Sequence, residues 1–304
     1  MKKHAYLIVA NNNLNVIEIC LKLIDDPRND IFILFDEKSH ISLKQKEKLM
    51  SCLKFSRIHF EKDIKVNWGG YSQIQAVLNL IKVANQSEDY GYIHFMQGSD
   101  IPIKSQDEIH RYFLENDGYQ FVQVEKNRSE MARRKSWYRH YFCHNRYFRT
   151  NKFVKALNFG VVFLQKVLKI RKNTDIDLYQ GSALFSITGE CARYVQSMEA
   201  DIHKRFRFSL AADEVFLQSV LMNSHYKSKI KNVYDTVTSN ARLIDRTRPD
   251  GKNSPHIWRK EELENILNQP DDFCFARKFD ENVDFEIVKS IYSKITHQDN
   301  KKAE

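Results

Sequence analysis

Three short stretches place reactive side chains at the borders of apolar runs, where a ligand could meet them. In GYIHFMQGSDIPIK, residues 91–104, a strand-like run ends in Gly98-Ser99-Asp100, and Pro102 follows closely. Gly98 allows a sharp turn or a close backbone approach, and Pro102, lacking an N–H, delays the next helix. Asp100 at such a corner either hydrogen-bonds a bound molecule or only closes a turn ahead of a helix capped by Ser105. In ADEVFLQSVL, residues 212–221, Asp213 and Glu214 precede an apolar helical pattern. A carboxylate there could take a proton from a hydroxyl, or merely favour the helix dipole. In FARKFD, residues 275–280, Arg277 and Lys278 stand between Phe275 and Phe279. Two cations in a partly dry frame attract phosphate strongly; the alternative is a charged edge strand. Strand alternation sends neighbours to opposite faces, so only one of the two is expected to touch a phosphate.

The elements that must position these side chains follow from periodicity. Strands are predicted over residues 5–10, 31–36, 57–60, 92–96 and 119–124, with helices over 14–25, 42–53 and 71–86 between them. Strands alternating with helices of these lengths indicate an α/β fold, a mostly parallel sheet flanked by helices on both faces. Beyond Arg171 the pattern gives a strand over 183–187, helices over 189–198 and 213–222, and a polar loop over 240–255. It closes with a helix over 261–268, an extended FCFARKF and a helix over 283–295. Ligands of open α/β sheets sit beyond the carboxyl ends of the strands, which is where Asp36, Trp68 and Asp100 fall. We expect a single domain over 1–296 with a basic insertion near 126–175, and a flexible polar tail over 297–304.

Composition narrows the chemistry. The 304 residues, 42% hydrophobic, can bury a substantial core. Five scattered cysteines without metal-ligand spacing fit reduced thiols better than a disulfide framework or a zinc site. There is no G-x-G-x-x-G after the first strand and no G-x-x-x-x-G-K-[ST], so neither the dinucleotide fingerprint nor the phosphate-cradling loop is supported. The first turn offers Asn11-Asn12-Asn13 instead. A net charge of +9 suits nucleic acid, an acidic membrane surface or a phosphorylated substrate.

Basic residues crowd the stretch 133–172, where RRKSWYRHYF mixes cations with aromatics able to stack on a sugar ring or a base. There Phe153, Leu157, Val161, Leu164 and Leu168 recur at helical spacing among Lys152, Lys155, Lys166, Lys169, Arg171 and Lys172. The pattern fits a helix lying on anionic headgroups, but more often it marks an ordinary helix packed on the core with a solvated charged face, which is the reading favoured here. No run of about 18 uncharged apolar residues is long enough to span a bilayer. No signal peptide opens the chain, so a cytoplasmic location is expected.

Seven ordered pieces resemble one family: YLIVANNNLNVIEICLKLI, IFILFDEKS, VNWGGYSQIQAVLNLI, MQGSDIPIK, QGSALFSIT, ADEVFLQSVLMNS and FARKFD. They are similar to the core-2/I-branching N-acetylglucosaminyltransferases, glycosyltransferase family 14, which also contains peptide O-xylosyltransferases. The resemblance implies a GT-A type fold and an inverting transfer from a UDP-sugar, N-acetylglucosamine first among the sugars, without a divalent metal or other cofactor. It carries the catalytic base onto Glu214 and the diphosphate contact onto Lys278, with Arg277 beside it. It places Asp36, Trp68, Gly98 and Asp100 around the donor, and Arg133, Arg139 and Tyr141 near a glycan or lipid-linked glycan acceptor.

The chain departs from the family pattern in two places. Asn253 stands where the branching enzymes have a second phosphate-binding arginine before Ser254, leaving Arg246, Arg248 or Lys252 as replacements. The lack of a signal anchor differs from the Golgi members and suggests a bacterial enzyme at the inner face of the cell membrane, with peripheral contact to anionic lipid. Asp175-Ile176-Asp177 has the Asp-x-Asp form of a metal site, but follows a basic loop rather than an apolar strand and is read as a decoy. Nucleic acid is not expected as a partner. Other readings stay open: a UDP-xylose or other UDP-hexose transferase, or a non-catalytic glycan- or nucleic-acid-binding protein.

Overall fold

The computed structural model describes residues 2–303 except 128, 144–146, 149, 249 and 251–253, and gives the backbone alone from 298 onward. The strands are β1 (His4–Ala10), β2 (Asn29–Phe35), β3 (Arg57–Phe60), β4 (Tyr92–Gln97), β5 (Asp100–Pro102), β6 (Phe121–Val122), β7 (Phe185–Thr188), β8 (Arg242–Ile244) and β9 (Phe275–Arg277). The helices are α1 (Leu14–Ile24), α2 (Leu43–Ser51), α3 (Ser72–Ser87), α4 (Gln106–Glu115), α5 (Ser129–Ser136) and α6 (Lys152–Val167). They continue with α7 (Gly189–Ser197), α8 (Glu199–Phe206), α9 (Phe216–Met222), α10 (Leu263–Leu267) and α11 (Glu286–Ala303).

Six strands form the main sheet in the order β3-β2-β1-β4-β7-β6; β1 to β4 run parallel and β7 antiparallel to β4. The expected α/β class, with a mostly parallel sheet between helices, is present. Alternation along β1 explains both cores. Ala5 and Leu7 face the cluster built with Ile74, Leu78 and Phe216, whereas Tyr6, Ile8 and Ala10 face the one built with Ile17, Phe113 and Ile291. Each of the larger aliphatic and phenyl side chains among them contributes about 1.5–3 kcal/mol by leaving water.

A second sheet, β5-β9-β8, sits against the end of the first. Arg242 on β8 joins them. Only 2% exposed, it donates to the carbonyls of Phe95 at 3.2 Å and Phe185 at 2.7 Å, and to Ser186 Oγ at 2.7 Å. Its guanidinium lies 4.7 Å from the Phe275 ring centre, and burial pushes its pKa down to about 10. Arg242 thereby ties β4 and β7 of the main sheet to β9 of the second.

Several element bounds differ from expectation for local reasons. The loop predicted over 240–255 contains β8, because buried Arg242 reads as polar sequence. The helix predicted from 213 begins as a 3₁₀ turn, Ala212–Glu214, and becomes α-helical only at Phe216. The strand expected over 119–124 is only Phe121–Val122, and the short β5, α5 and α8 were not foreseen. The polar run 297–304, expected as a flexible tail, continues α11 as far as Ala303. Ser105 caps α4 as expected: its hydroxyl accepts the Glu108 N–H at 3.3 Å while the Glu108 carboxylate takes the Ser105 N–H at 2.9 Å.

Candidate active site

A cleft of about 650 Å³ opens at the carboxyl ends of β1, β2 and β4. Asn11–Asn13, Asp36 and Gln97–Ser99 line it from the main sheet; Arg277–Asn282 line it from the end of β9. Trp68 and Asp213 also face it. This is the edge at which open α/β sheets bind ligands.

Gly98 answers to packing. A Cβ there would come within 3.1 Å of Ala10 Cβ and 3.2 Å of Ile17 Cδ1, so a side chain would have to push β1 and α1 back by a few tenths of an ångström. Asn13, in the left-handed region at φ 91°, ties the turn to the far end of the chain. Its amide donates to the carbonyls of Gly98 and Phe279, each at 3.1 Å, and its oxygen accepts the Glu281 N–H at 3.0 Å.

Asp100 acts one step behind the cleft. It was expected to meet the ligand, but it is 2% exposed and does not line the cavity. One oxygen accepts the Gln97 N–H at 2.8 Å, closing the turn, and the other takes the Arg277 guanidinium at 2.6 Å. Arg277 also donates to Ser99 Oγ at 2.9 Å. Arg277 and Lys278 both line the cleft. Strand alternation does not separate the two, because β9 ends at Arg277 and Lys278 lies beyond it. Trp258 holds the segment from behind: its indole N–H donates to the Arg277 carbonyl at 2.9 Å and its backbone N–H to the Lys278 carbonyl at 3.0 Å.

Asp36 lines the cleft and also anchors loops, accepting the Lys38 and Val66 N–H groups at 3.1 and 3.2 Å. Trp68 is 48% exposed at the cavity wall, not core. Gly69, at φ 74°, turns the chain so that its carbonyl accepts the Ala211 N–H at 2.9 Å. Gln73 bridges this turn to the acidic pair, donating to Asp213 Oδ2 at 3.1 Å.

The two carboxylates differ. Asp213 lines the cleft, and its pKa is pushed up to about 7 by burial and by the neighbouring Glu214 charge. Glu214 is not among the cleft-lining residues; its Oε2 accepts from Lys135 Nζ at 2.6 Å and from Gln180 Nε2 at 3.3 Å. Neither Lys135 nor Gln73 was singled out in the sequence. Lys135 lies 79 residues from its partner, and no local pattern marks such a pair. Asn13 was legible in principle, because an asparagine closing the first strand tolerates the left-handed turn it adopts.

The expected acceptor residues lie on α5 and in the segment that follows it. Arg133 lies 5.3 Å from the Trp137 ring, Arg139 donates to Tyr141 Oη at 3.2 Å, and Tyr141 packs on Phe208 at 5.0 Å. None of the three lines the cleft. Asp175 is bound to Arg205 at 2.9 Å on the surface, and neither it nor Asp177 lines the cleft. Among the described residues, no three His, Cys, Asp or Glu side chains gather as metal ligands. Arg248 is committed to Asp245 and Glu262, each at 2.8 Å, and Arg246 is exposed outside the cavity. Ser254 lines the cleft, while Lys252 and Asn253 lie outside the described residues. All five cysteines are free thiols.

The sequence profile of the family described as Branch: Core-2/I-Branching enzyme matches residues 4–267. Xylosyltransferase sqv-6 of Caenorhabditis briggsae is 24% identical over 320 residues, covering 95% of this chain and 36% of that protein. The human probable beta-1,3-galactosyl-O-glycosyl-glycoprotein beta-1,6-N-acetylglucosaminyltransferase 7 is 32% identical over 111 residues, 36% of this chain and 25% of that protein. The chain thus spans 36% and 25% of the lengths of these relatives. The crystal structure of mouse Xyloside xylosyltransferase 1, apo form, overlays with a TM-score of 0.41 at 10% identity, covering 91% of this chain and 97% of that one.

Proposed function

Because the chain belongs to the Core-2/I-Branching enzyme family, we propose that it is an inverting glycosyltransferase of GT-A type. It moves a sugar from a UDP-sugar to a hydroxyl of a glycan or lipid-linked glycan. N-acetylglucosamine is the sugar we favour, and xylose is the alternative, the two relatives being named for one each. The observation that carries the reading is one cleft at the strand ends that holds Arg277 and Lys278 together with Asp213, next to Glu214.

The diphosphate of the donor binds along the Ser99–Lys278 wall, where cationic side chains rather than a divalent ion neutralise it. Glu214 takes the proton of the acceptor hydroxyl as its oxygen attacks the anomeric carbon. The bond from that carbon to the diphosphate breaks on the opposite side, and UDP leaves with its new negative charge facing Lys278. Lys135 and Gln180 orient the Glu214 carboxylate from behind. A second assignment has its own support: Asp213 lines the cleft and titrates near neutrality, as a base acting at pH 7 should.

The test is nucleotide release. Purified protein is offered UDP-N-acetylglucosamine, UDP-xylose, UDP-galactose and UDP-glucose, with and without glycan acceptors. Release of UDP from one donor well above the others, rising with acceptor, is expected. No release from any of them would leave a binding protein and end this reading.

A further inference from the structure

Helix α6 is built inside out. The residues it buries, Asn158, Val162 and Gln165, are spaced i, i+4, i+7, and two of the three are amides. Asn158 Nδ2 lies 3.0 Å from His140 Nδ1; Gln165 accepts the Arg139 N–H at 2.9 Å and donates to the Arg139 carbonyl at 3.0 Å. On the opposite side Phe153, Leu157, Leu164 and Val167 follow the same helical spacing, with Phe159 and Phe163 beside them. All are exposed, Phe159 at 71% and Val167 at 60%, and the apolar run continues through exposed Leu168 and Ile170. A surface helix of a soluble protein turns its apolar stripe to the core; one that turns it outward marks an interaction surface.

We infer that this face lies in the headgroup region of an anionic lipid bilayer, with the helix parallel to the membrane plane. Charge complementarity selects the occupant. Between Thr150 and Asn173 there is no acidic residue, and Lys152, Lys155, Lys166, Lys169 and Arg171 are all exposed around the apolar face. Lysine stems can lie along lipid while their ammonium groups reach the phosphates. A second copy of a chain carrying +9 would bring like charges together at the same face. Sixteen residues at about 1.5 Å each make a rod of roughly 24 Å. Among the described residues no helix is long and apolar enough to cross a membrane, so α6 rests on the bilayer.

The contact also has a direction. The amides of α6 hold Arg139 and His140, and the preceding α5 carries Lys135, the partner of Glu214. A bilayer under α6 therefore adjoins the segment expected to meet the acceptor. That last step rests on the proposed function; the lipid contact does not.

The test is co-sedimentation of the full chain with phosphatidylcholine vesicles, with and without phosphatidylglycerol. Binding to the anionic vesicles should exceed binding to neutral ones by roughly tenfold or more and fall with added salt. The double variant Phe163→Ser with Leu164→Ser should lose roughly tenfold in affinity while its melting temperature holds, since both side chains are already in water. Phe163→Trp should gain fluorescence quenching in vesicles with brominated acyl chains, which reads insertion without weakening the fold. Absence of vesicle binding overturns the inference, as does binding that ignores the serine pair. So does a dimer in light scattering that the serine pair dissolves while vesicles leave the protein in solution.

Discussion

The Arg277 guanidinium is closed onto the Asp100 carboxylate at 2.6 Å, and Asp100 is 2% exposed. The two residues are thus a structural pair before any ligand arrives. Arg277→Ala strands a buried carboxylate and should cost on the order of 3–5 kcal/mol of stability. Lys278→Ala should cut turnover by on the order of a hundredfold, as for other groups aimed at a developing charge. Equal, small effects of both variants on turnover and melting would remove FARKFD from the phosphate site.

Glu214→Gln keeps the size of the side chain and removes its ability to accept a full proton. If Glu214 is the base, turnover falls by roughly 10² to 10⁴ with donor affinity held, and Asp213→Asn retains far more activity. The reverse ranking in the same steady-state assay assigns the base to Asp213.

Asp213 also predicts a pH signature. Its folded pKa, near 7, is raised above that of the unfolded carboxyl, so its stabilising contribution is full below the unfolded value and is lost as pH rises through about 7. Asp213→Asn escapes that loss. The difference in urea midpoint should move in favour of the variant between about pH 5 and about pH 8. A constant difference would mean that Asp213 is not held protonated.

Transfer should survive a chelator, because the proposed diphosphate wall is cationic. Abolition by EDTA with recovery in manganese would bring a metal into the site and overturn that part of the mechanism.

A buried chain of imidazoles predicts an acid-sensitive fold. His94 lies 3.1 Å from His4 through ring nitrogens, and His4 stacks on His110 at 4.0 Å. Burial lowers all three pKa values, that of His110 to about 4. Each is depressed below the unfolded value of about 6.5, so stability is full above that pH and is lost as pH falls below it. Urea midpoints should drop steeply from about pH 7 to about pH 5, and His110→Asn should flatten the slope. A flat parental profile would show that the cluster does not control acid unfolding.

The parallel sheet and the strand-end location of the cleft were legible, as was the cleft-lining position of five of the six residues expected around a donor, because strand–helix alternation and turn residues are local signals. The exception, Asp100, shows what local signals omit. Its carboxylate at a strand corner was visible, but its consumption by Arg277, 177 residues away, was not. Lys135 on Glu214 and Arg242 under Phe95 are the same kind of long-range partner. Helix α6 failed differently: periodicity located the helix but could not say which face turns outward, since polar Asn158 and Gln165 are the buried ones.

Asn13 reaches Phe279, 266 residues further along the chain, and this has a consequence for biosynthesis. Proteins emerge from the ribosome amino end first, and the strands β1 to β4 can pair while the rest is still being made. The floor of the cleft can therefore exist early, but its cationic side arrives only with residues 277–281. A nascent or prematurely terminated chain would carry the Asn13 turn with only its bond to Gly98 made, and without its bonds to Phe279 and Glu281. The cleft is completed only near the end of translation, when β9 and the segment after it dock.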